Sequence, residues 1–521
     1  MKNYLKPFLM FFIIFTFVSC FIVILPGSIH AAETPKRGGW LTVATDESTV
    51  GLDPHLTIES SGFSEYVYDC PLRYNYEMGL EPALATSWEH PDKLTYIFHL
   101  RKGVKFHNGR EMTSDDVKFS FDRLRDPKIG SQASEVWDKI KSVEALDKYT
   151  VKITLKETLP DFLTYCAYVR YSAILPKDEV LKHGNLQKPE TVCGTGPWKV
   201  KEYQHGVSAT FVRNEDYWER GIPYIDGFKL VVVKDEATRL AGIRKGQFDI
   251  GWVKEIQIAK RASKEANVKI MSSQPSRQGR FYLNHKIFPF NDIKLRQAVS
   301  ACLDRKAMID KLFFGDAFLS TLIPPASVPY VLSQEDIAKL PFYKQDYELA
   351  KRLLKEAGYP NGFEFTIVTS PHSPDYVPAC EIMAEQLSKV GIKTKIQQME
   401  WGVFQKIRKA REYQATYYAG SWKPDPISYF YYYMHGKSKS NETNQDDPEM
   451  NTLMDNCLQE ENLQKRVEYF RQLQYKTAEK VTVIFPYASQ ARWEIVTDKV
   501  KGYRFMSNNS RVGLREAWIA K

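Results

Sequence analysis

Histidine, cysteine, serine and the acids are the side chains on which metal, nucleophilic or acid–base chemistry would draw. The ten histidines are dispersed, with no HExxH or other spacing that would set paired ligands on one helix face. Of the seven cysteines, Cys20 lies in an apolar N-terminal run. Cys70, Cys166, Cys193, Cys302, Cys380 and Cys457 follow it without any CxxC, so a structural zinc site is not expected. An oxidising compartment would permit disulfides, but the sequence assigns no pairing. Cys302 and Cys380 fall on amphipathic helical patterns and read as buried thiols. Gly436-Lys437-Ser438 has the end of a phosphate loop, with Tyr431 standing where the upstream glycine belongs. Gly194-Thr195-Gly196 runs into Pro197-Trp198 and reads as a tight turn before a strand, not a dinucleotide fingerprint. A G-x-S-x-G elbow is also missing. No catalytic residue, metal or cofactor is expected. A cleft enzyme stays as an alternative because triads assemble in space.

Binding chemistry has better candidates. In Gly420-Ser421-Trp422-Lys423-Pro424-Asp425-Pro426 a carboxylate stands three residues after an indole. Held in a closing cleft, Asp425 would be an ammonium anchor, because charge-assisted hydrogen bonds strengthen there; Asp425-Pro426 also fits a plain turn. Residues 429–433 form a nearly unbroken aromatic run, which cannot all face inward on one element. Some of those rings must be exposed or line a cleft.

The elements that must position these residues alternate between strand and helix. Leu41-Thr42-Val43-Ala44 reads as a strand, with Gly51-Leu52-Asp53-Pro54 as a turn after it. Tyr96, Phe98 and Leu100 share one face of a strand over 95–100, and Val151, Ile153 and Leu155 alternate likewise. Thr113 and Asp116 form a capping box, with Val117, Phe121 and Leu124 recurring at helical spacing behind it. The same rules predict strands over 228–233, 363–368 and 393–398. They predict helices over 295–312, over 347–357 closed by Gly358 and Pro360, and over 376–390. Asp447 and Pro448 fit the cap and first turn of a long helix reaching about 479. This alternation argues α/β architecture.

The chain has 521 residues, 43% hydrophobic and 26% charged, room for two or three domains with an ordinary globular composition. Lys2 and Lys6 precede an apolar run over 8–25, and small residues follow at Ser28, Ala31 and Ala32. This is the pattern of a cleaved secretory signal over 1–32. An uncleaved anchor or lipidation at Cys20 is the alternative, so the protein is expected to be exported, periplasmic or held at the outer face of the membrane. Without the signal the formal charge falls from +9 to +7. The charges are scattered, which argues against a nucleic-acid partner.

Several phrases together point to a family. Leu84-Ala85-Thr86-Ser87-Trp88-Glu89 is followed by 96–107, Tyr-Ile-Phe-His-Leu-Arg-Lys-Gly-Val-Lys-Phe-His, then by Thr113-Ser114-Asp115-Asp116-Val117 and Phe119-Ser120-Phe121-Asp122-Arg123. Gly194-Thr195-Gly196-Pro197-Trp198, Asn214-Glu215-Asp216-Tyr217-Trp218, Phe290-Asn291-Asp292 and Leu354-Lys355-Glu356-Ala357-Gly358-Tyr359-Pro360 come later. In this order, across nearly the whole mature chain, they resemble the peptide- and nickel-binding class (family 5) of ABC-importer solute-binding proteins.

The resemblance implies a type II periplasmic-binding fold: two lobes joined by two crossing strands, with an extra domain in the first lobe. Lobe I would span 33–279, including the extra domain at about 80–190. Lobe II would span 280–490, and 491–521 would return to lobe I. The crossings would fall near 276–284 and 489–497. A monomer would capture a peptide-like ligand between the lobes and pass it to a membrane permease. An opine, an oligosaccharide or a nickel chelate is the alternative ligand, and a holdase or sensor the alternative role.

The resemblance makes Asp425 the partner of the ligand's α-ammonium and Trp422 a wall of the pocket. Arg280, Tyr282 and Asn284 would approach the ligand at a crossing, and Trp401 follows a family-like Met399-Glu400. Dipeptide binders carry an arginine in the loop before the helix at Tyr376. Here that loop is Pro371-His372-Ser373-Pro374-Asp375, leaving His372 as the substitute and arguing against free dipeptides.

Overall fold

A computed structural model describes residues 34–520, except 47–50, 57–60, 132, 160, 266, 273–274, 422–425, 490–492 and 507–511. The expected signal segment therefore lies outside the described residues. From Lys36 onward the chain packs as one contiguous unit. No helix among the described residues is long and apolar enough to cross a membrane.

Three main sheets organise it. The first runs, in spatial order, Val268–Met271, Trp493–Thr497, Ile250–Val253, Trp40–Thr45, Gly227–Val232, Ser208–Arg213 and Trp198–Gln204. Its central strand, Trp40–Thr45, is parallel to both neighbours. The second runs Lys393–Gln398, Glu364–Thr369, Ala415–Ser421, Arg277–Leu283 and Val483–Ile484, with Ala488–Ser489 also pairing to Arg277–Leu283. The third is an antiparallel sheet in the order Ala85–Asp92, Thr95–Leu100, Thr150–Leu155 and Ile140–Asp147. The chain leaves the first sheet after Met271, enters the second at Arg277, and returns between Ser489 and Trp493. This is a two-lobed α/β molecule with a small inserted domain, and each body has its own apolar core.

Local chemistry accounts for most of the elements. The Thr113–Asp116 capping box is present at the start of the Ser114–Arg125 helix, whose Val117, Phe121 and Leu124 are buried against the third sheet. Gly194 and Gly196 pack against the backbone of Val67. A Cβ on either would overlap the Val67 backbone, so glycine permits the close approach before the Trp198–Gln204 strand.

Two predicted helices are each broken in two. Residues 295–312 divide into Ile293–Ala301 and Arg305–Phe313, because Asp304 accepts a hydrogen bond from the Ala307 amide (2.8 Å) and starts a new helix. The span from Pro448 divides into Pro448–Gln459 and Leu463–Lys480, where Asn462 caps Lys465 (3.1 Å). In both places a short polar side chain outcompetes an apolar periodicity that continues through the break.

Three histidines, His55 buried and His107 and His285 partly buried, set an acid limit. His55 Nε2 lies 2.8 Å from the Ala173 carbonyl, His107 Nε2 3.0 Å from that of Gly196, and His285 Nε2 3.2 Å from that of Thr482. Burial holds His55 and His107 down to about 4 and His285 to about 3, against an ordinary 6.5. A lowered folded-state value gives stability that is present above pH 6.5 and is lost as the pH falls towards 4. Each histidine removes at most about 1.4 kcal/mol per pH unit. Urea midpoints measured from pH 7 to 4 are expected to fall accordingly. His107→Gln should flatten that slope, and an unchanged slope would refute the assignment.

Candidate ligand-binding cleft

A cavity of about 630 Å³ opens between the first and second sheets. Trp252, Lys254, Glu255, Ile256 and Trp493 wall it from the first lobe. Arg277, His372, Asp375, Tyr376, Ala419 and Ser489 wall it from the second. A larger groove of about 790 Å³, lined by Leu332, Leu453, Arg471 and Tyr475 among others, lies wholly within the second lobe. Closure of the lobes cannot enclose that groove, so the inter-sheet cavity is the better ligand site despite its smaller volume.

The cleft wall is built around an ion pair that local sequence reading missed. Arg277 donates from Nη1 to Asp375 Oδ2 (2.9 Å) and from Nη2 to Asp375 Oδ1 (2.8 Å) and Ser373 Oγ (3.0 Å). Ser373 Oγ and the Tyr487 hydroxyl each donate to Asp375, both at 2.7 Å. Burial favours the neutral Asp375, but the adjacent Arg277 and these hydrogen bonds prevail and hold the carboxyl below its ordinary value. The loop over 371–375 contains no arginine of its own, and strand Arg277–Leu283 delivers one into it. On the opposite wall Trp252 packs between Arg239 (5.3 Å) and Lys254 (5.2 Å), and its indole N–H donates to Thr45 Oγ1 at 3.3 Å. The cleft combines flat aromatic surface with charges of both signs.

The predicted site residues fall into three groups. His372 and Trp401 come together, their rings stacked at 4.1 Å and 15°, and His372 lines the cleft. Burial, then the charges of Lys254 and Arg277, lowers the His372 pKa. Trp401 starts the helix Trp401–Ala410, capped by Glu400.

Arg280, Tyr282 and Asn284 form the second group, inside the second lobe and away from the cleft lining. They alternate with Arg277 along one strand and so point to its other face. Arg280 donates to the Tyr429 hydroxyl and to Gln278 Oε1 (3.2 Å). Tyr282 stacks on Tyr418 at 5.4 Å. Asn284 donates to the carbonyls of Arg411 (3.2 Å) and Tyr413 (3.0 Å) and accepts from Asn444 (2.9 Å), tying loops together. Trp422 and Asp425 form the third group and lie outside the described residues. Of the aromatic run, Phe430 is buried and Tyr432 exposed on the helix Pro426–Met434. Among the described residues no group of three His, Cys, Asp or Glu side chains could hold a metal; Cys70, Cys166, Cys193, Cys302 and Cys380 are free thiols, and these five and Cys457 are all buried.

Two lobes, two crossings and a walled cleft between them define a solute-binding architecture of the type II periplasmic class. The model of the bacterial extracellular solute-binding proteins, family 5, matches residues 79–441, and the chain belongs to that family. Heme-binding protein A of Haemophilus influenzae is 29% identical, with 88% of each chain covered. The glutathione-binding protein GsiB of Escherichia coli K12 is 29% identical over 70% of each chain. The oligopeptide-binding protein AppA of Bacillus subtilis, solved with a nonapeptide, superposes with a TM-score of 0.73 at 25% identity, covering 94% of this chain and all of the other.

Proposed function

We propose that this protein captures a peptide-like ligand between its lobes outside the cytoplasmic membrane and delivers it, as a monomer, to the permease of an ABC importer. The observation that carries this reading is the inter-sheet cavity, walled jointly by both lobes with tryptophans, an exposed histidine and charges of both signs. Such a lining suits an amphipathic zwitterion, whose apolar side chains meet Trp252, Trp493 and Tyr376 while its termini meet fixed charges. The ligands named for two relatives, glutathione and a nonapeptide, are both peptides. Energy for uptake would come from the importer, and this chain would perform no chemistry on its ligand.

Native mass spectrometry of the protein as purified, followed by denaturation and identification of what is released, tests the reading. A released peptide supports it. A released porphyrin, sugar or metal chelate keeps the binding role and overturns the peptide. By the family's Trp-x-x-Asp motif, Asp425 remains the proposed ammonium anchor. Asp425→Ala should weaken binding of an ammonium-bearing ligand by about 1.5–3 kcal/mol, the range for a hydrogen bond to a charged group. Isothermal titration giving an unchanged Kd would remove that role.

A further inference from the structure

A polar cavity of about 450 Å³ lies on the second lobe, at the end of the strand Arg277–Leu283 remote from the ligand cleft. Arg277 stands at the cleft and Asn284 at this cavity, seven residues on and about 23 Å along an extended chain. The amides around the cavity are spent on its wall. Asn441 donates to the Gln445 carbonyl (2.7 Å) and Gln445 to Asn451 Oδ1 (3.1 Å), while Asn284 ties down its neighbours as described above. The Gly436-Lys437-Ser438 segment runs along the edge with its amides committed too. Gly436 donates to Asn451 Oδ1 (2.9 Å), Lys437 to His435 Nδ1 (3.1 Å) and Ser438 to the His435 carbonyl (2.9 Å). Recognition of a ligand here therefore falls to side chains.

Two cations are left over. Lys286 and Arg411 both line the cavity, and among the described residues neither is in an ion pair. Arg411 Nη1 donates to the carbonyls of Lys439 (2.9 Å) and Asn441 (3.4 Å), which fixes the guanidinium. The nearby Glu442 is already taken by Arg408 and the Tyr418 hydroxyl. Asp446, the one acid of the lining, accepts from Asn451 (3.0 Å) and has lone pairs to spare for a ligand hydroxyl.

Beside the cations the surface turns apolar. Ile287 lines the cavity. Phe288 and Tyr359 continue from it, 43% and 36% exposed, with their rings 5.3 Å apart. The Lys286 amide donates to Asn284 Oδ1 (3.2 Å) and Gln414 donates to the Phe288 carbonyl (2.9 Å), so this segment is held in place. A cation and two exposed apolar side chains thus stand within three consecutive residues.

We propose that this cavity takes the phosphate head of an anionic phospholipid, with Lys286 and Arg411 on the phosphate, Asp446 on a headgroup hydroxyl, and Ile287, Phe288 and Tyr359 in the membrane interface beside it. A free phosphate compound accounts for the cations and not for the apolar edge. A purely apolar partner would leave both cations facing it unpaired. A bilayer surface presents the two chemistries side by side, anionic headgroups outside and acyl chains beneath. The site lies at the other end of the strand from the ligand cleft, so the proposal stands whichever ligand the cleft takes.

Flotation with protein-free vesicles tests it, using the contiguous unit from Lys36 onward, which lacks the apolar N-terminal run, at about 0.1 M salt. The unit should float with vesicles of phosphatidylglycerol mixed equally with phosphatidylcholine, and not with phosphatidylcholine alone. Lys286→Glu should lower its partition by about tenfold or more, and Phe288→Ser should lower it as well. Lys229→Glu makes the same charge change on an exposed strand position of the first lobe and should leave flotation near that of the parent. Equal losses from Lys286→Glu and Lys229→Glu would reduce the effect to net charge and overturn the site. Absence of flotation, or equal flotation with both vesicles, also overturns it. Saturable binding of glycerol phosphate in isothermal titration without flotation would assign the cavity to a free phosphate compound and overturn the lipid. Should Lys286→Glu fail to fold, Lys286→Gln replaces it, with a smaller loss expected and an unchanged partition refuting the proposal.

Discussion

Arg277→Met is expected to destabilise the protein by about 3–5 kcal/mol, because it leaves Asp375 buried and without its counter-ion. Ser373 and Tyr487 still donate to that carboxylate, which sets the expectation at the lower end. The double change Arg277→Met with Asp375→Leu removes both charges and should recover most of the loss, since paired buried charges can be replaced by apolar groups at little cost. Urea unfolding of the single and double variants measures this. The same substitutions remodel the cleft wall, so ligand affinity should fall in both even where stability recovers. Equal stability of the single variant and the parent would show that water reaches Asp375 and that the pair is not a structural element of the cleft.

Asp53→Ala is expected to cost about as much, 3–5 kcal/mol. Asp53 is fully buried and accepts from Arg123 Nη1 (3.1 Å) and Nη2 (2.8 Å), from the His55 amide (3.0 Å) and from the Leu186 amide (3.1 Å). Burial works against its charge, and Arg123 with the other donors outweighs burial, so its pKa stays below the ordinary carboxylate value. Removing the carboxylate strands the Arg123 guanidinium and two amides in the first lobe. Thermal unfolding should register it as a lowered Tm, and a shift within error would mean that Arg123 finds another acceptor.

The periodic elements were legible because their determinants are local. The strand Thr95–Leu100 alternates along six residues, and the Thr113–Asp116 cap closes within four. The helix breaks at Asp304 and Asn462 were not legible, because the apolar spacing runs through them and one side-chain bond decides the outcome. The family phrases gave the two-lobed architecture, whereas the cleft wall depends on pairings remote in the chain. Arg277 meets Asp375 across 98 residues, and Trp252 and Trp493 come onto adjacent strands of one sheet only when residues 250–253 pair with 493–496. Asp53 read as turn punctuation because its partner Arg123 sits on another element. Arg280 and Tyr282 were read from the right strand, but on the face turned away from the cleft. Strand alternation, taken from Arg280 back to Arg277, is the signal that would have found the arginine.

The Trp493–Thr497 strand lies between Ile250–Val253 and Val268–Met271. A chain emerging from the ribosome or a translocase, amino end first, therefore exposes Ile250–Val253 with one bare edge until the whole second lobe has followed. The first lobe begins first and finishes last. Until then its open edge is a place where another chain could pair, and its completion waits on contacts of high sequence separation. A protein truncated by some thirty residues at its carboxyl end would keep its cleft loops over 371–375 and still lack the strand that closes the opposite wall. Quality control in the exporting cell would meet it as an unfinished sheet, not as a binding protein with a weakened site.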